Sequence, residues 1–126
     1  MSVKQISIFV ENKPGALLAM TTVLAENRID MRAFTLAETS DFGIVRIIVD
    51  DVYKTCQVLK DMGFVYSISS VLGVVIPNVP GGLNQVLQIL TVCLPCLFVG
   101  SDYKTHGAAR SAYFVLYSSR NLLLLW

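Results

Sequence analysis

Clustered charge is what this chain lacks most plainly. Only 15% of its residues are Asp, Glu, Lys or Arg, against about 25% in an ordinary soluble domain. Residues 1–70 carry 7 basic and 8 acidic side chains and residues 71–126 carry 3 and 1, so the halves stand at −1 and +2 and the whole at +1. No run of Lys and Arg offers a footprint for a phosphate backbone, and Arg46 in "GIVRIIV" stands alone among aliphatics. Nucleic acid is therefore excluded as a partner. Long hydrophobic runs are missing too. The most apolar window, "VLQILTVCLPCLFVG", is interrupted by Gln88 and Pro95 and falls short of the ~20 residues that a membrane span needs. The amino-terminal "MSVKQISIFVE" stops at Glu11, too soon for the hydrophobic region of a secretory signal. These absences predict a soluble cytoplasmic chain with no membrane partner.

Histidine and cysteine are equally sparse. Three cysteines, an odd number without an extracellular address, make no disulfide framework. Cys93-Leu94-Pro95-Cys96 has dithiol spacing. It closes a helix and leads into a strand, however, so the helix terminus that would activate the first thiol is at the wrong end. A zinc site would need two more ligands, and Cys56 and the lone His106 do not stand at ligand spacing. There is no P-loop, no Gly-x-Gly-x-x-Gly and no Gly-x-Ser-x-Gly. Asp41-Phe42-Gly43 spells the kinase magnesium tripeptide without the rest of a kinase around it. No nucleophile or base has a partner, so the chain reads as a non-enzyme with no metal and no cofactor.

What is present is apolar and repeated. Apolar residues make up 54% of 126, which asks for burial at domain or subunit interfaces and favours a homo-oligomer, with a dimer as the simplest case. "IFVENKPGALLAMTTVL", residues 8–24, and "VVIPNVPGGLNQVLQIL", residues 74–90, follow one pattern at a constant offset of 66 positions. Each has an apolar stretch, then Asn-x-Pro-Gly, then apolar residues at helical spacing.

In the first copy, Ile6, Ile8 and Val10 alternate as in a strand, and Leu17, Met20, Val23 and Leu24 share one helical face over 16–27. Residues 31–37 and 43–49 read as two strands around a hairpin loop, "ETSDF". Asp50 or Asp51 can cap a helix carrying Val52, Cys56 and Leu59 and ending at Gly63, after which "FVYSISS" is a closing strand. The order β-α-β-β-α-β predicts an α+β, ferredoxin-like unit with helices on one face of an antiparallel sheet. A second unit restarts at 71–76, with a helix on Leu83, Val86, Leu87 and Leu90 and strands near 97–101 and 112–117. After Ser119 only "RNLLLLW" remains, so the expected organisation is unit 1 over 1–70 and an incomplete unit 2 over 71–126 that lacks its last strand.

The Asn-x-Pro-Gly corner has a chemistry of its own. Proline fixes its φ and glycine takes geometries others avoid, so bare backbone approaches whatever lies above it. The helix that follows points unpaired N–H groups and the positive end of its dipole at the same spot, a small anion site suited to a carboxylate. Asn12 or Asn78 can cap the helix or donate to a ligand, and Glu11 or Asp30 can accept an ammonium group. An ordinary strand-to-helix turn uses the same residues.

Residues 1–90 resemble an ACT domain followed by the opening of a second, most like the small stand-alone tandem-ACT proteins of bacteria. The likeness rests on Asn12-Lys13-Pro14-Gly15 and Asn78-Val79-Pro80-Gly81, on "LAENRIDMRAF", and on "TSDFGIVRIIVDD" with "MGF". It implies a regulatory module that binds amino acids or similar small carboxylates where two units pack together, and that acts on a metabolic enzyme partner. The walls it implies are Asn12, Lys13, Pro14, Gly15, Ala16 and Leu17 with Asp30 and Met31. In the second unit they are Asn78, Val79, Pro80, Gly81, Gly82 and Leu83. Where the first copy has "RIDMRA" the second has "LPCLFV", so the first site is the better equipped. The rival from another class is a protein–protein assembly module without a small-molecule site.

Overall fold

The computed structural model describes residues 2–77, 79–93, 97–100 and 111–118. They belong to two compact units, Lys4–Ser69 and a second made of Met1–Val3 with Ser70–Trp126. The first contains β1 (Ser2–Glu11, from Lys4), α1 (Ala16–Glu26), β2 (Met31–Glu38), β3 (Phe42–Val49), α2 (Val52–Asp61) and the start of β4 (Val65–Pro77). Its strands lie in the order β2-β3-β1-β4, with β3 antiparallel to both β1 and β2. This is the ferredoxin-like α+β arrangement.

Period-two alternation builds one side of the core. Ile6 and Ile8 of β1 and Val45, Ile47 and Val49 of β3 point to the same side of the sheet and are buried. The helices close over them with Met20, Val23 and Leu24 from α1 and Leu59 from α2. Truncating a buried Leu or Ile here to Ala costs about 2–5 kcal/mol, because the surroundings only partly fill the void. Buried Thr55 sits on the same face of α2; its Oγ1 donates to the Asp51 carbonyl at 2.6 Å, so the hydroxyl is satisfied without leaving the helix.

Local chemistry sets the helix ends. Asp51 caps α2, its carboxylate accepting from the Lys54 amide at 2.9 Å. At the other end, Gly63 (φ 76°) lets its own N–H reach the Lys60 carbonyl and that of Phe64 reach the Leu59 carbonyl.

The second unit continues β4 from Ser70 to Pro77 and adds α3 (Gly82–Cys93), β5 (Leu97–Gly100) and β6 (Ser111–Ser118). Its strands run β4-β6-β5, with β6 antiparallel to both neighbours. The sequence suggests one strand ending near Ser70 and another starting at Val71, whereas the structure has a single strand of 13 residues. Between Phe64 and Val71 there is neither Gly nor Pro to force a turn, and the strand runs on through Ser69 and Ser70. The expected absence of a last strand falls on residues 119–126, and Asn78, Cys96, His106 and the terminal "LLLLW" likewise lie outside the described residues. Among those described, no helix is long and apolar enough to cross a membrane.

Candidate functional site

The first corner is a backbone structure before it is a site. Gly15 is the N-cap of α1 at φ 85°, ψ −14°, in the left-handed region that glycine tolerates. The Lys13 carbonyl accepts from the Ala16 amide at 3.2 Å and that of Gly15 from the Ala19 amide at 2.8 Å. No side chain caps the helix and no acidic residue occupies its first turn. The amides of Leu17 and Leu18 find no acceptor among the described residues, leaving the positive end of α1 unopposed.

Asn12 turns its side-chain amide to the neighbouring hairpin. Its side-chain amide donates to the carbonyls of Thr39 at 3.0 Å and Ser40 at 3.3 Å, while its backbone N–H donates to the Asp41 carbonyl at 3.0 Å. It ties the corner to the β2–β3 hairpin and does not cap α1. Glu11 forms an ion pair with Lys13 across the same turn. The hydrogen bond from Lys13, and then its charge, holds the Glu11 carboxyl below its ordinary range.

Beside this corner lies an open hollow of about 130 Å³. Val10 of β1, Glu11, Asn12, Lys13 and Leu17 reach it from the corner side, and Leu36 and Glu38 of β2 with Gly43 and Val45 of β3 complete it. Its origin is a gap in a row. The helix-facing positions of β3 are Gly43, Val45, Ile47 and Val49, and the first has no side chain. Leu17, the first member of the α1 stripe, borders the gap and stays 37% exposed, whereas Met20, Val23 and Leu24 are buried. Val10, Leu36, Glu38, Gly43 and Val45 were not among the residues expected to form the site. The alternation that makes Gly43 the one missing side chain in a buried row was the signal available for finding them.

Other expected residues lie elsewhere. Pro14, Gly15 and Ala16 shape the corner without lining the hollow. Asp30 and Met31 sit at the opposite end of β2, since Met31 pairs with Val49 and Glu38 with Gly43. Seven residues of strand separate them, about 23 Å. Asp30 is braced there: its N–H donates to the Asp50 carboxylate at 3.2 Å, its carbonyl accepts from the Asp50 amide at 3.1 Å, and its carboxylate meets Arg32 at 3.3 Å. Met31 packs against the core. Within one unit, Asp30 and Asn12 therefore do not share a pocket.

The second corner repeats the backbone of the first. Gly81 stands at φ 84°, the Val79 carbonyl accepts from the Gly82 amide at 3.0 Å, and the Gly81 carbonyl from the Gln85 amide at 3.1 Å. Each bond lies 66 positions after its counterpart. Pro80 is exposed between them, and Leu83 is half-buried at the first turn of α3.

Burial pushes the Cys56 thiol up, away from the reactive thiolate. No group of His, Cys, Asp and Glu among the described residues could hold a metal.

A protein from Bacteroides thetaiotaomicron of known structure is 41% identical to this chain and superposes with a TM-score of 0.81 over 94% of this chain and 81% of its own. The regulatory subunit of aspartate kinase from Thermus thermophilus, in its ligand-free form, shares the fold at 12% identity, with a TM-score of 0.61 over 91% of this chain and 82% of its own. The alpha and beta subunits of an aspartokinase do so at 15%, with a TM-score of 0.55 over 93% and 86%. Among proteins with curated descriptions, none matches significantly. The family model described as an ACT domain pair matches residues 1–94, a span that holds the complete first β-α-β-β-α unit, both Asn-x-Pro-Gly corners and α3. With its corner duplicated in sequence and in hydrogen bonding, the chain belongs to the ACT domain-pair family, whose fold is a regulatory one.

Proposed function

We propose that the protein is a non-enzymatic sensor, acting in the cytoplasm, that binds an amino acid at the Asn12–Leu17 corner and passes the binding to a partner enzyme. The observation that carries this is the bare first turn of α1, with Leu17 at its start lining a hollow, in a chain of the ACT domain-pair family. The ligand carboxylate seats on the amides of that turn near Lys13, its ammonium turns toward Glu11 or Glu38, and its side chain faces the hollow. Asp30 and Met31 contribute only as the wall of a neighbouring unit, because their own unit holds them at the far end of β2. The ligand then stiffens the seam between units and shifts association with the partner, a coupling of about 1–3 kcal/mol. A kinase of amino-acid metabolism is the class of partner suggested by the aspartate kinase regulatory subunit that shares the fold.

A thermal-shift screen against the common amino acids tests this. A subset should raise the melting temperature, since ligand at 100 times its Kd adds about 2.7 kcal/mol. A second reading, an assembly module without a ligand, draws on Phe34 and Leu36, which stay 41% and 42% exposed on edge strand β2. Stable oligomers by light scattering, with no shift from any amino acid, would favour it.

A further inference from the structure

We propose that the hollow above Gly43 takes the side chain of an aliphatic amino acid and that Gly43 sets its depth; this rests on the amino-acid reading above. Chemistry supplies the first argument. Val10, Leu17, Leu36 and Val45 line the hollow beside Gly43, an apolar floor that rewards the burial of an aliphatic side chain. Lys13 and Glu38 stand at the same hollow with opposite signs, as the head of a zwitterion requires.

Size supplies the second. The hollow is about 130 Å³ and open to solvent. A branched three- or four-carbon side chain lies within it, and an aromatic ring with its methylene reaches past it into water. The limit is set from below by Gly43. A Cβ built there would come within 3.2 Å of Leu36 Cδ1, and the added methyl would occupy ligand space. Since that neighbour is the end of a flexible side chain and Gly43 has no left-handed φ, alanine is accommodated by the fold.

Calorimetry and thermal shift on the full chain, with alanine, valine, leucine, phenylalanine, glutamate and lysine as probes, test the assignment. Affinity should rise about fourfold per added methylene from alanine through valine to leucine and fall again for phenylalanine. Gly43→Ala should remove the advantage of leucine over alanine. Leu36→Ala, a half-exposed position where truncation is mild, should widen the hollow and admit phenylalanine. Equal binding of leucine, glutamate and lysine, or a leucine preference untouched by both variants, overturns the aliphatic assignment and leaves the amino-acid reading standing. No shift from any amino acid overturns that reading itself.

Discussion

From the residue before the proline into the helix, the two corners share their backbone hydrogen bonds, and they differ in the side chains around them. Gly15 and Gly81 sit within a degree of each other in φ, and their two flanking hydrogen bonds match donor for donor. Around the first stand Glu11 and Lys13, both charged; at the same places around the second stand Pro77 and Val79. Ala16 opens α1 half-exposed, whereas Gly82 opens α3 buried. A short motif thus dictates a turn wherever it occurs, because φ restriction by proline and φ freedom in glycine act within four residues. What the turn can bind depends on side chains that the motif does not include. The first corner thus carries two charged side chains that the second lacks.

The comparison can be broken most directly at the glycines. Gly15→Val and Gly81→Val each force a β-branched residue into left-handed geometry, at about 1–2 kcal/mol, although a Cβ at either place meets nothing within 4 Å. Denaturant unfolding should show similar losses for both, while only Gly15→Val removes the amino-acid thermal shift. Unequal losses would mean that the corners differ in more than side chains.

Next in size is Asn12→Ala, which frees the carbonyls of Thr39 and Ser40 to water. A loss of about 0.5–1.5 kcal/mol in unfolding free energy is expected, with weaker ligand binding because the corner is no longer tied to the hairpin. Lys13→Val, which copies Val79 into the first corner, should leave stability within about 0.5 kcal/mol and lower affinity for a carboxylate measured by calorimetry. Unchanged affinity would remove Lys13 from the site.

The smallest effect is on pH. Lys13 depresses the Glu11 pKa in the folded chain, so the pair favours folding above the ordinary carboxylate range and that contribution disappears as pH falls through the depressed value. Glu11 is fully exposed, so a carboxylate-free control, Glu11→Gln, should lie only slightly below the parent at neutral pH in a melting-temperature series, and that gap should close in acid. A gap that persists or widens in acid would contradict the assignment.

Much of the fold was legible because its causes are local. Alternation at Ile6, Ile8 and Val10, the helical stripe through Met20 and Leu24, the cap at Asp51 and the stop at Gly63 act over one to four residues, and the structure contains each of them. The continuous β4 was less legible, since apolar, β-branched residues on either side of Ser69 and Ser70 read equally as two strands or one.

The candidate site divides along the same line. By itself the amino-acid sequence determined the duplicated corner, its left-handed glycines and the bare first turn of α1, because these follow from the φ preferences of Pro and Gly and from helix ends. Tertiary structure alone decided where Asn12 spends its hydrogen bonds, that Asp30 lies a strand's length away, and that Leu36 and Val45 meet Leu17 over Gly43. Those outcomes depend on strand register and on helix-to-sheet packing. Both bring together residues far apart in the chain, such as Leu17 with Val45 and Asn12 with Thr39, and no window of local preference contains them.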